Sequence, residues 1–188
     1  MRARRALIAV CVIAAASLLS ACGEHTMHNA DANNNGTFIN AGNVIYQLQI
    51  SRELNQYSPE DKSYFIGLPK NAAKLTASQL WFGVFLWARN QTNNNRTTTD
   101  NFDIVDTQGN TYRPLKLDSA TNPYAWTSTP LTPGATQPNP NTTAGVGPTG
   151  GELLLFKLNT SIYNNRPLAL QIRAPSGNKV WATISLDL

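Results

Sequence analysis

Leu168-Ala169-Leu170-Gln171-Ile172-Arg173-Ala174-Pro175-Ser176-Gly177-Asn178-Lys179-Val180-Trp181-Ala182-Thr183-Ile184-Ser185-Leu186-Asp187-Leu188 is the stretch that decides the fold. Leu168, Leu170 and Ile172 alternate with Ala169, Gln171 and Arg173, the period of a strand buried on one face. Pro175-Ser176-Gly177-Asn178 turns the chain, because Pro presets one backbone angle and Gly accepts the others. Val180, Ala182, Ile184, Leu186 and Leu188 then return as a second strand. The pattern predicts a β-hairpin whose two apolar faces match.

Working outward, the same period recurs. Val44, Tyr46, Leu48 and Ile50 share one predicted face, opposite Gln47, Gln49 and Ser51. Phe102 and Ile104 precede a turn at Asp106-Thr107-Gln108-Gly109-Asn110, with Tyr112 and Leu115 after it. Leu80 to Ala88 and Leu153 to Leu158 are apolar at nearly every position, as in strands covered on both faces. The total is about seven strands, with a single helical turn expected around Asn71 to Ser78. An antiparallel two-sheet β-sandwich closes such a set.

Between residues 118 and 150 the alternation stops, and the segment around it carries six of the eleven prolines: Pro123, Pro130, Pro133, Pro138, Pro140 and Pro148. A loop of this length is functional or disordered. Its aromatic start, Tyr124 and Trp126, is expected to pack back on the domain, and its Pro/Thr/Asn remainder to stay mobile.

The amino terminus speaks to location. Arg2, Arg4 and Arg5 precede Ala6 to Leu19, an uncharged apolar run of 14 residues. A spanning helix needs roughly 20, whereas a signal peptide's apolar region is this short. Leu19-Ser20-Ala21-Cys22 resembles the bacterial lipobox. The resemblance implies cleavage between Ala21 and Cys22, acylation of the Cys22 thiol, and a membrane anchor made of lipid. Residues 1–21 are then a signal peptide, 22–43 the lipidated Cys and an Asn-rich flexible tether, and 44–188 the folded domain.

Removing residues 1–21 also removes three cations and no acid, leaving 12 Lys and Arg against 11 Asp and Glu. The basicity of the whole chain therefore belongs mostly to the signal peptide, and nucleic acid is not an expected partner. Cys11 leaves with that segment and Cys22 carries lipid, so the domain folds without a disulfide.

Two strand-and-turn signatures, Trp81-Phe82-Gly83-Val84-Phe85 leading to Ala88-Arg89-Asn90, and Phe102-Asp103-Ile104-Val105-Asp106 followed by Gly109-Asn110-Thr111-Tyr112, come before Gly151-Glu152-Leu153-Leu154-Leu155-Phe156. In this order they resemble secreted bacterial Ig-like lipoprotein domains of unknown function, of the immunoprotective extracellular protein type. The resemblance implies an Ig-like sandwich outside the membrane and brings no catalytic residues.

Candidate chemistry is sparse. Both histidines, His25 and His28, fall in the tether, so a His base or a Ser/His/Asp triad is missing from the domain. With Met27 they are the chain's only soft-metal candidates, and no resident cofactor or metal is expected. Asp100, Asp103 and Asp106 are spaced so that Asp103 and Asp106 alternate to opposite faces, and Asp106 suits a turn residue bonding local N–H groups. Glu53, Asp118 and Glu152 could be paired only by folding. Trp81 and Trp87 suit packing. Trp181 alternates away from its apolar neighbours, and Tyr124, Trp126 and Trp181 are the candidate ligand contacts for an envelope protein or glycan, although pinning the long loop is the preferred reading of Trp126.

The expectation is a lipid-anchored extracytoplasmic lipoprotein at the cell membrane or an outer membrane, acting as a non-enzymatic binding or structural module. The alternatives are a carboxylate-based envelope hydrolase or carbohydrate-active enzyme, and a metal- or solute-binding lipoprotein.

Overall fold

The computed structural model describes residues 31–32, 36–72 and 74–186. The strands are β1 (Asp31–Ala32), β2 (Phe38–Ala41), β3 (Val44–Leu54), β4 (Gln79–Arg89), β5 (Arg96–Thr97), β6 (Phe102–Val105), β7 (Thr111–Tyr112), β8 (Pro130–Leu131), β9 (Thr136–Gln137), β10 (Glu152–Asn159), β11 (Leu168–Arg173) and β12 (Val180–Leu186). One sheet has the order β1-β12-β11-β6-β7, and the other β10-β4-β3-β2 with β9 beside the end of β4. Among the described strand pairs only the β1–β12 contact is parallel. The protein is an all-β sandwich. Seven described strands exceed two residues, the number expected, although β2 takes the place expected for the much shorter β7.

The hairpin holds as predicted over most of its length: Leu168, Leu170 and Ile172 face Leu186, Ile184 and Ala182, all buried. Its register shifts between Ile172 and Arg173, so that Val180 pairs with the outward Arg173. Val180 is consequently turned outward, against expectation, because a bulge adds one residue and reverses the face of what lies beyond it. Leu188 lies outside the described residues. The same device corrects β3. A bulge between Leu48 and Ile50 sends Ile50 and Leu54 to the outer face, where they pair with Phe85 and Trp81, while Val44, Tyr46 and Leu48 face inward.

β4 and β10 are covered on both faces, as their unbroken apolar runs predict. Leu80, Phe82, Val84, Leu86 and Ala88, with Leu154, Phe156 and Leu158, fill the core between the sheets. Trp81, Phe85, Leu153 and Leu155 face a second core with Leu54, Tyr64, Leu117 and Ala125. Trp81 is buried and its indole N–H donates to Gln56 at 3.1 Å. Trp87, expected in the core, is only half-buried and meets the exposed Phe38 ring at 5.9 Å.

Two expectations about irregular segments fail. The tether was expected to reach residue 43, yet β2 lies within it and buries Ile39 and Ala41. Positive φ at Gly42 (61°) and Asn43 (67°) closes β2 onto β3 in the manner of a two-residue type I′ hairpin. Gly42 also lies beneath Trp181, where a Cβ would come within 2.3 Å of the ring.

The 118–150 segment is folded onto the domain. It carries β8, β9 and a one-turn helix, α1 (Thr143–Val146), capped by the Thr142 side chain. Ala125, Leu131, Gln137 and Ala144 are buried in it. Leu115 and Trp126 donate backbone N–H bonds to Leu155 and Leu153, and Leu153 donates to Tyr124, so the free edge of β10 is closed. The helical turn expected near residues 71–78 is absent from its described residues, and a 3₁₀ turn occurs instead at Lys62–Phe65, where Tyr64 plugs the second core.

Candidate functional site

Cys22, Ala21, His25, Met27 and His28 lie outside the described residues. Tyr124, Trp126 and Trp181 are described, and folding does not bring them onto one platform. Tyr124 packs on Tyr64 of the outer core, ring centroids 4.8 Å apart. Two residues on, Trp126 points the other way, into the core between the sheets. It is 8% exposed, meets Phe102 and Tyr46 at 5.6 and 6.0 Å, and donates its indole N–H to the Thr99 carbonyl at 2.8 Å. Trp126 thus pins the long segment. Trp181 is half-buried against the same core on β12.

The edge of Trp126 lines a cleft of about 420 Å³, with Asp100, Lys116, Ser119, Thr127 and Ser128 around it. Asp100, Lys116 and Ser119 are not buried, so its mouth carries both charges and a hydroxyl.

Behind the cleft wall lies a buried polar network. Thr98, Thr99 and Gln137 are 0%, 0% and 2% exposed. Tyr46 accepts the Thr99 N–H at 3.0 Å through its hydroxyl, and burial pushes that phenol up to about 12. The Thr98 hydroxyl donates to the Gln137 carboxamide oxygen at 2.7 Å. The Gln137 amide donates to the Thr127 carbonyl at 2.8 Å and to Glu152 at 2.7 Å. Apart from Glu152, these residues bear no local signature, because they come together across 10 to 53 positions. A polar residue in an otherwise apolar register, such as Gln137 or Thr98, is a signal only once the register is known.

Glu152 is the group whose acidity burial changes most usefully. Loss of water raises its carboxyl to about 7, against the opposing pull of the Gln137 amide and the Thr127 backbone. A raised carboxyl pKa means the folded state holds a proton that the unfolded state releases. Its stability is complete below about pH 4.5 and is lost as pH rises through about 7. Denaturant midpoints should therefore fall between pH 5 and 8 by the equivalent of about 2.5 kcal/mol, and Glu152→Gln should flatten that slope. A slope identical in the variant would assign the effect elsewhere.

Several other carboxylates are engaged by cations, hydroxyls and backbone N–H groups. Asp103 is buried on the outer face of its sheet between Arg173 at 2.6 Å and Arg113 at 3.4 Å. Glu53 accepts from the Tyr163 hydroxyl and Asp118 from Thr121 and the Ala120 N–H. Asp106 is the turn residue that the sequence indicated. Its carboxylate accepts from the backbone of Gln108 and Asn110 and from the side chains of Asn110, Tyr112 and Asn165 at 2.9–3.1 Å. Among the described residues no group of three or more His, Cys, Asp or Glu is placed to hold a metal ion, and no helix is long and apolar enough to cross a membrane.

No protein-family model and no curated protein matches the chain. Among solved structures, the yjhA protein of Bacillus subtilis is 10% identical with a TM-score of 0.46, covering 83% of this chain and 99% of that one. An uncharacterized β-sandwich protein of Clostridium difficile 630 is 12% identical at 0.43, covering 88% and 100%. The ycdA protein of Bacillus subtilis subsp. subtilis, whose name suggests a lipoprotein, is 8% identical at 0.47, covering 81% of this chain and 38% of that one. At this level of likeness none of them carries an activity over to this chain.

Proposed function

We propose that this chain is a lipid-anchored module outside the membrane, an Ig-like sandwich that binds an envelope protein or glycan or serves a structural part there, without catalysis. The observation that carries the proposal is Leu19-Ser20-Ala21-Cys22 following a charged start and a 14-residue apolar run. A thiol at that place is the group able to take the lipid. Two or more acyl chains, each contributing roughly 0.8 kcal/mol per buried CH₂, hold a protein on a bilayer without a spanning helix.

Cys22→Ser is expected to abolish incorporation of labelled fatty acid and to leave the chain uncut or released from the membrane. Labelling that persists in this variant would overturn the assignment. For the binding half of the proposal, the cleft beside Trp126 offers the ligand surface, with Asp100 and Lys116 to meet polar groups. Capture of envelope proteins and glycans by the mature chain tests it. A partner held equally well by Asp100→Lys would move the surface away from this cleft.

A further inference from the structure

Thr98 and Gln137 are separated by 39 positions and meet inside the protein. Both are buried, and the Thr98 Oγ1 lies 2.7 Å from the Gln137 carboxamide oxygen. The hydroxyl is positioned from a third side as well. Thr129 donates its N–H to Oγ1 at 2.9 Å, while the Thr98 N–H donates to the Thr129 carbonyl at 3.1 Å. The carboxamide is equally held, its Nε2 donating to the Thr127 carbonyl and to Glu152 Oε2. An alcohol is therefore fixed against a carboxamide in surroundings that exclude water, with a carboxyl on the nitrogen that would leave. Such fixed juxtaposition raises the effective concentration of one group toward the other by many orders of magnitude.

We propose that Thr98 and Gln137 become joined by an intramolecular ester, with Glu152 as the acid that releases ammonia. The Thr98 oxygen attacks Cδ of Gln137 while its proton passes to the carboxamide oxygen it already contacts. Glu152 protonates Nε2, the Cδ–Nε2 bond breaks with its electron pair on nitrogen, and ammonia departs. The carbonyl reforms as the proton on its oxygen returns to the Glu152 carboxylate. One C–O bond replaces one C–N bond, the acid is regenerated, and no oxidant or cofactor is consumed.

Two features favour the reaction here. Burial lifts Glu152 to about 7, so a protonated fraction persists near neutral pH. The same burial shields the product from hydrolysis. The link would tie the chain just before β6 of one sheet to β9, which pairs with β4 of the other. It would do for this domain what a disulfide does elsewhere, in a chain with no cysteine after position 22.

The test is the mass of the purified, denatured chain. It should be about 17 Da below the value required by its sequence after amino-terminal processing, the loss of one ammonia. Trypsin should yield Thr97 to Lys116 joined to Leu117 to Lys157 as one species, which hydroxylamine separates. Thr98→Ser should keep the loss and Thr98→Val remove it, while Glu152→Gln slows its appearance. A folded chain that retains its full sequence mass after prolonged incubation at neutral pH would overturn the proposal, as would a loss that persists in Thr98→Val. Should Thr98→Val fail to fold, the fragment map of the unaltered chain decides between the same outcomes.

Discussion

Phe82→Ala is expected to cost about 3–5 kcal/mol, the range for removing a fully buried aromatic ring. Phe82 is 0% exposed, in the middle of β4, with Glu53 and Phe156 as its lateral neighbours. Its ring fills the space between the two sheets, where neighbouring strands are held by their hydrogen bonds and cannot collapse into the void. Against a typical total of about 5–15 kcal/mol, the loss is a large share of the stability. Chemical denaturation followed by far-ultraviolet circular dichroism would show a midpoint moved far down, or no folded baseline. A shift worth less than about 1 kcal/mol would mean that the sheets repack around the gap.

Asp106→Ala comes next, at roughly 3 kcal/mol, by a different mechanism. The carboxylate is buried beneath an exposed turn and receives five hydrogen bonds from four residues, and removing it takes away the acceptor that ties Gln108, Asn110, Tyr112 and Asn165 together. Asp106→Asn keeps one carbonyl oxygen and should cost about half as much. Burial alone would raise this carboxyl, but the hydrogen bonds from Asn110, Asn165 and Tyr112 outweigh it and bring it down to about 2. A lowered carboxyl pKa adds stability above about pH 4 that is lost as pH falls toward 2. Asp106 and Glu152 therefore act in opposite senses, so the pH–stability curve should peak near about pH 4–5. In Asp106→Ala the acid limb should become shallower while the limb above about pH 5 stays. An acid limb of unchanged steepness would count against this role.

The carboxylates also show how much of the site was legible. Asp106 was readable because its function is local: it sits at the head of a five-residue turn and bonds groups two and four positions on. Glu152 could be noted as a carboxylate but not assigned, since its partner Gln137 comes from a segment with no strand period. The 118–150 segment looked mobile because prolines interrupt alternation. It is held instead by single side chains, Trp126, Leu131 and Gln137, inserted into surroundings built by distant strands. A bulge is equally invisible in a hydrophobic pattern. Ile50 and Val180 continue the period of their strands and yet turn away from the inner core, because one unpaired residue reverses the face of the next.

By itself the sequence determined the features that local chemistry sets: alternating strands, turns at Asp106 to Asn110 and Pro175 to Asn178, two doubly covered strands, and a lipobox-like stretch directly after an apolar run. Those features rest on period, backbone preference and the spacing of neighbours. Only the tertiary structure decided that the Asn-rich lead contributes an edge strand, that Tyr124 and Trp126 serve opposite cores, and that Thr98, Gln137 and Glu152 form one buried contact. Each of these depends on which distant surfaces meet. Alternation states which side of a strand is apolar, but the partner of that side is set by the pairing and stacking of whole sheets.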